Sequence, residues 1–280
     1  MVAPGELEAA LRARIACFSG HVALCAIRLD QQQRIDIDSE LPLPIASTGK
    51  LFLLLTLMSQ VDSGNRHLLE RIELGEHRTL GSGVLLQLDA GLRPTLWDLA
   101  ALMQMVSDNT AANLLLAELG LPAVHRELQR AGLRHSELRG AIDFAAVARD
   151  QRAFAVSTAA ELATLLLRLR RGELLSKALT ARSFELLRVQ KYIEPLRRLL
   201  PADPYAREFG EPEPVWVASK TGSLRGLRTE SGLVHARGVE WVISVITTGS
   251  RDGRVTSDHE GWRLVSETSR LVYDAWAPAE

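Results

Sequence analysis

The sequence predicts an α+β fold: an antiparallel sheet, built from strands at both ends of the chain and flanked by helices, with an inserted all-helical lobe. Three observations point there. Strand-like segments lie near residues 21–38 and 215–247, helical periodicity fills the stretch between them, and a helical segment stands at each end. With 280 residues, 46% of them apolar, the chain is long enough to bury a sizeable core.

The elements follow in order. Pro4 and Gly5 precede a run in which Leu7, Leu11 and Ile15 recur at four-residue spacing, as on one helix face. His21 to Leu29 is rich in Val, Leu and Ile and reads as a strand. Gln31-Gln32-Gln33 reads as a turn, and Arg34 to Asp38 alternates polar residues with Ile35 and Ile37, which completes a hairpin. The pattern changes after Pro42 and Pro44. From Ser47 to about Gln190 nearly every apolar segment has helical period, punctuated at Gly64, Gly81, Gly83, Pro94, Gly120, Gly140 and Gly172. Thr95-Leu96-Trp97-Asp98 forms a capping box for a helix through Leu102 and Met105. A further helix runs from near Thr110 to Gly120, so Ser107-Asp108-Asn109 falls in a tight link. A polar, Pro-rich stretch from Pro201 to Pro214 leads to strands at Val215–Ala218, Gly232–Ala236 and Val239–Thr247. Finally, Ser257 to Trp276 places Trp262, Val265, Ser266, Ser269 and Tyr273 on one helical face. The expected division is one domain of two lobes, an α/β lobe (1–45 plus 210–280) and a helical lobe (46–209). A cleft between such lobes is a natural ligand site.

Composition excludes several classes of partner. Acids and bases nearly cancel (34 against 33, net charge −1), so no electrostatic footprint for nucleic acid is present. The longest apolar stretch, Leu51 to Met58, is far short of the ~20 residues of a membrane span. Residues 1–20 carry Glu6 and Glu8 and no basic-then-apolar run. The chain as it stands is therefore expected in the cytoplasm, or in a secreted or periplasmic setting if a leader has been removed. Cys17 and Cys25 make no disulfide framework, and the seven histidines show no metal-ligand spacing. No metal or cofactor is expected, and a monomer is.

Of the 33 basic residues only four are lysines, Lys50, Lys177, Lys191 and Lys220. The segment Pro44-Ile45-Ala46-Ser47-Thr48-Gly49-Lys50 leads into an apolar helix, with Ser47 or Thr48 available as its cap. Capping leaves Lys50 unexplained, because a cation in the first turn opposes the helix dipole and a buried ammonium is costly. Residues three apart share a helix face, so Lys50 can also reach Ser47 and accept its proton. A phosphate-binding loop is excluded by Pro44 and Leu51 at positions that need Gly and Ser or Thr. Ser107-Asp108-Asn109 reads equally as an ordinary cap. Ser219-Lys220-Thr221-Gly222-Ser223 reads either as a polar turn or as an anion site on an edge strand, with Gly222 allowing close backbone approach.

Together the three segments follow the order S-x-x-K, S-D-N, K-T-G of the penicillin-recognising serine enzymes. Ser107 to Leu116, Gly172-Glu173-Leu174-Leu175 and Thr247-Thr248-Gly249-Ser250 are similar to further landmarks of class A β-lactamases, and the resemblance spans roughly Leu41 to Trp276. It implies Ser47 as nucleophile, Lys50 as the group that holds and deprotonates it, and Ser107 as the proton donor to the departing nitrogen. Asn109 would bind the substrate's side-chain amide, Lys220 and Thr221 its carboxylate, and the N–H groups of Ser47 and Ser223 the oxyanion. Arg228 matches a carboxylate-binding arginine if one turn residue is deleted. The family's hydrolytic Glu falls on Asp143, one methylene shorter, and Val147 stands where an Asn would help to position the water. The base role competes with that of a loop carboxylate paired with Arg139 or Arg149. The expected function is β-lactamase-type hydrolysis through an acyl-enzyme on a small carboxylate-bearing substrate. The alternatives are an amidase, esterase or peptidase on a non-lactam substrate, or a slowly deacylating β-lactam-binding sensor.

Overall fold

Apolar strand segments from both ends of the chain form a five-stranded, wholly antiparallel sheet in the computed structural model. The structure describes residues 4–31, 33–76, 78–190, 195–203 and 205–278; Gln32, His77, Lys191 and Pro204 lie outside them. In chain order the elements are α1 (Pro4–Ile15), β1 (His21–Arg28), β2 (Arg34–Ile37), β3 (Leu43–Pro44), α2 (Lys50–Asp62), α3 (Leu96–Met105) and α4 (Asn109–Leu119). There follow α5 (Leu121–Arg130), β4 (Glu137–Leu138), α6 (Phe144–Arg149), β5 (Ala155–Ser157), α7 (Ala159–Arg170), α8 (Lys177–Arg188) and α9 (Pro195–Arg198). The last are α10 (Ala206–Phe209), β6 (Val215–Leu224), β7 (Leu227–Ala236), β8 (Val239–Thr248) and α11 (Glu260–Trp276). Among the described residues no helix is long and apolar enough to cross a membrane.

The chain divides into two compact units, residues 1–41, 158–167 and 193–280 in one and residues 42–157 and 168–192 in the other. In the first, the strand order is β2-β1-β8-β7-β6. The N-terminal β1 pairs with the C-terminal β8 from His21↔Thr248 to Arg28↔Trp241, which joins the two ends of the sequence. Helix α11 lies on this sheet and α1 packs against α11. The shared core holds Leu11, Leu24, Ile243, Val265 and Trp262. Trp241 meets Tyr273 and Trp276 edge-on, each with ring centroids 6.2 Å apart. All five residues assigned from sequence to the inner face of the last helix are buried.

The second unit is built around α2, buried at every position from Lys50 to Met58. A helix apolar all round belongs at a centre, and α2 is packed by α4, α5 and α8. The capping box forms as expected: Thr95 accepts from the Asp98 N–H and Asp98 from the Thr95 N–H.

Two sequence expectations change. The block read as all-helical also contains the strands β4 and β5, which join β3, just before that block, in a small sheet of order β3-β5-β4. Its strands are two or three residues long, too short for alternation to show. The expected division at 45/46 and 209/210 also differs from the compact units, because residues 42–45 belong to the helical unit while residues 158–167 and 193–209 belong to the sheet-bearing one. Non-local contacts cause this: Leu196 and Leu200 enter the sheet's core, and the Ala160 N–H donates to the Ser39 carbonyl (3.0 Å).

Candidate active site

Ser47 lies half-buried in a one-turn 3₁₀ helix, Ala46–Gly49, that runs directly into α2. Side chains three apart in such a turn eclipse one another, so Ser47 and Lys50 share a face. The preceding Ala46 has φ +46°, a left-handed conformation that costs a non-glycine residue ~1–3 kcal/mol.

Lys50 is fully buried. Its Nζ donates to the Ser107 carbonyl (2.6 Å), the Ser107 Oγ (3.0 Å) and the Asn109 Oδ1 (2.7 Å). Residues 57 and 59 positions apart in sequence thus meet at one ammonium. Ser107 turns both oxygens toward Lys50 from the link between α3 and α4, where it holds φ +55°. Left-handed backbone at both Ala46 and Ser107 is strain kept by the surrounding structure, a feature that clusters at functional sites.

Side chains supply that restraint. Asp108 is buried and caps α4 through the Ala111 N–H (2.9 Å), while its second oxygen accepts from the N–H groups of Val84 (2.7 Å) and Leu85 (2.9 Å). Only glycine fits at position 83, since a Cβ there would lie 2.3 Å from the Asp108 carboxyl carbon. The Asn109 Nδ2 donates to the Leu80 carbonyl (2.8 Å), which fixes the amide with its oxygen on Lys50. Sequence reading gave no role to Asn113, one helical turn beyond Asn109. It donates to Thr79 Oγ1 (2.9 Å) and the Ile142 carbonyl (3.1 Å), and accepts from the Ile142 N–H (2.8 Å). The i, i+4 spacing from Asn109 was the available signal.

Asp143 follows Ile142 directly. Its carboxylate is exposed and caps α6, accepting from the Ala145 N–H (2.8 Å). Its hydrogen bond is thus to its own helix; Arg139 pairs instead with Glu137 (2.8 Å). Val147 is buried beneath α6.

The other motif residues stand in the sheet-bearing unit. Ser219 to Ser223 lie inside β6, paired with β7 from Ser219↔Gly232 to Ser223↔Arg228, so this segment is strand and not turn. Lys220, Thr221 and Gly222 are buried and Ser223 is exposed. Burial pushes the Lys220 ammonium down to about 7, with the Glu230 carboxylate pulling the other way. Glu230 itself is buried and accepts from Ser219 Oγ (2.6 Å) and the Leu196 N–H (2.9 Å).

Arg228 is held by backbone carbonyls. Its guanidinium donates to the carbonyls of Leu224 (2.7 Å), Leu227 (2.7 Å) and Arg254 (3.1 Å), and sits over the Trp262 ring. It is only 6% exposed. The side chain clamps the β6–β7 turn to the segment at Arg254. Nearby, the buried His259 caps α11 through Nδ1, which accepts from the Gly261 N–H (2.9 Å). Burial, and then the positive charge of Arg228, hold His259 below its ordinary value.

Comparison with known proteins shows the family of the chain. The model of the beta-lactamase enzyme family matches residues 6–276. The chain is similar to a beta-lactamase from Sphaerobacter thermophilus, with 28% identity, 98% of this chain and 97% of that one covered, and a TM-score of 0.85. An ancestral (GNCA) class A beta-lactamase is 25% identical, with 96% and 100% covered and a TM-score of 0.84. PBP-A, 24% identical with 96% and 95% covered, shares the fold at a TM-score of 0.80.

Proposed function

The chain belongs to the beta-lactamase enzyme family and is a serine hydrolase; from that premise we propose that it opens the amide of a β-lactam through an ester on Ser47. The observation that carries this reading is the ammonium of Lys50, buried and bonded to Ser107 Oγ and Asn109 Oδ1. In the proposed reaction Ser47 Oγ attacks the lactam carbonyl carbon and its proton passes to Lys50 in its deprotonated form. The Ser107 hydroxyl, 3.0 Å from Lys50 Nζ, relays a proton to the lactam nitrogen as the C–N bond breaks. Lysine suits this exchange because arginine stays protonated at any working pH. Asn109 is assigned to the substrate's side-chain amide. Lys220 and Thr221 are assigned to its carboxylate, and Gly222 and Ser223 to the backbone beside it. Water then hydrolyses the ester, with Asp143 as the candidate base.

One observation favours a slower variant of the same reaction. The Asp143 carboxylate is exposed and committed to capping α6, and a shift of ~1 Å in a catalytic group can cost ~100-fold in rate. In this second reading the ester forms readily and is released slowly, as in a sensor or trap.

A chromogenic cephalosporin separates the two when colour and intact mass are followed together. Sustained colour with little adduct supports turnover. A stoichiometric burst with a lasting mass shift on Ser47 supports the slow acylator. Absence of both would overturn the lactam reading and leave a non-lactam amide or ester as substrate. In either lactam case Ser47→Ala removes the adduct; an adduct that survives it sinks the nucleophile assignment.

A further inference from the structure

Two large apolar side chains stand exposed around the amide of Asn109. Phe144, the first residue of α6, is 42% exposed, and Leu80, whose carbonyl accepts from Asn109 Nδ2, is 70% exposed. Gly81 connects them. It holds φ +92°, and both the amide and the aromatic ring approach the place a Cβ would take. A Cβ built there would lie 2.8 Å from Asn109 Nδ2, 2.9 Å from Phe144 Cζ and 3.0 Å from Phe144 Cε2. Glycine at this position is what lets ring and amide approach the same backbone.

The arrangement is held from both ends. Ile142, two residues before Phe144, is bonded through its N–H and its carbonyl to Asn113. Asp143 caps the helix that Phe144 begins. On the facing loop, the Ser82 carbonyl accepts from the Asn109 N–H (2.9 Å) and the Val84 N–H is fixed by Asp108 (2.7 Å). An apolar surface so restrained is preorganised, and little conformational freedom remains to be lost when something covers it.

We propose that Phe144, with Leu80, is a specificity-determining residue that selects substrates whose amide carries an aryl or other bulky apolar acyl group. This rests on the reading that Asn109 binds the substrate's side-chain amide. An amide seated there places its acyl substituent next to Gly81, within reach of the Phe144 ring and of the exposed Leu80. Hydrophobic contact of this size discriminates between substrates by roughly 10- to 200-fold.

The test compares benzylpenicillin, which carries a phenylacetyl amide, with 6-aminopenicillanic acid, which has the same lactam and carboxylate but no acyl group. The second-order rate of acylation is measured for both, as adduct formation on Ser47 by intact mass or, where the ester turns over, as loss of the lactam at limiting substrate. Unaltered protein is expected to favour benzylpenicillin. Phe144→Ala should lower the benzylpenicillin rate about tenfold and change the other less than twofold, while Phe144→Leu restores most of the loss. Leu80→Ser, at a still more exposed position, should act in the same direction and provides a variant independent of α6. The 6-aminopenicillanic acid rate serves as an internal control, since misfolding or damaged chemistry lowers both rates. Equal losses on both compounds, or no loss on either, would overturn the role of Phe144 and leave the acylation reading standing. Failure of the unaltered protein both to form an adduct with either compound and to consume either compound overturns that reading, and this inference with it.

Discussion

Two fully buried lysines, one in each unit, sit in opposite kinds of structure. Lys50 begins a helix beside two residues in left-handed backbone, Ala46 and Ser107, and its nitrogen is bonded to oxygens of Ser107 and Asn109. Lys220 lies in a regular strand paired along its whole length, with the buried Glu230 carboxylate on the next strand. The first environment suits a group that takes up and gives back a proton while hydroxyls and an amide fix its geometry. The second suits a group that offers charge from a rigid edge. Burial alone therefore does not define a role. What surrounds the nitrogen does.

Arginine substitution at both positions tests this contrast most strongly. Lys50→Arg keeps a cation but removes the group that can lose a proton, so acylation should fall on the order of 10³-fold or more. Lys220→Arg should lose about tenfold or less on a carboxylate-bearing lactam. Similar losses at both positions, measured as adduct formation, would erase the distinction.

The restraint around Lys50 comes next. Asp108→Ala leaves the N–H groups of Val84, Leu85 and Ala111 without their carboxylate. Stability should drop by about 3 kcal/mol, read as a shift in the denaturant midpoint. A change below ~1 kcal/mol would show that the left-handed link at Ser107 is kept by other means.

The pH profile sharpens the other side. If the charge of Lys220 holds the substrate's carboxylate, kcat/KM falls about tenfold per pH unit above about 7, and Lys220→Arg removes that limb. The same group affects stability with a definite sign. Its folded value, about 7, lies below the ordinary 10.5. Between those values the unfolded chain binds more protons, so this contribution makes stability rise with pH across that window. A stability curve flat over the same range in unaltered protein, and unchanged by Lys220→Met, would place Lys220 in a more solvated setting.

The smallest expected effect is at Asp143. Asp143→Asn preserves the α6 cap, because Asn caps about as well as Asp, and should leave stability within a few tenths of a kcal/mol. Asp143→Ala should cost about 1 kcal/mol. If Asp143 activates water, the Asn variant lengthens the life of the Ser47 ester, measured by mass. An unchanged lifetime reduces Asp143 to a helix cap.

Much of this was legible in the sequence. Helical period, the alternation of β2 and the apolar runs of β1 and β8 placed α1, β1, β2, β8 and α11 within a few residues, because each carries its signal along its length. The three motifs selected Ser47, Lys50, Ser107, Asn109, Lys220 and Thr221 by residue type and order. The sequence alone could not show the short strands β3, β4 and β5, or which unit residues 158–167 and 193–209 join. Nor could it show that Arg228 is spent on backbone carbonyls, or that Asn113 pins Ile142 beside Asp143. These features rest on particular hydrogen bonds and packing contacts rather than on a repeating pattern, and such contacts have no period to read. Residue type told which groups could do the chemistry; only the tertiary structure decided what each of them touches.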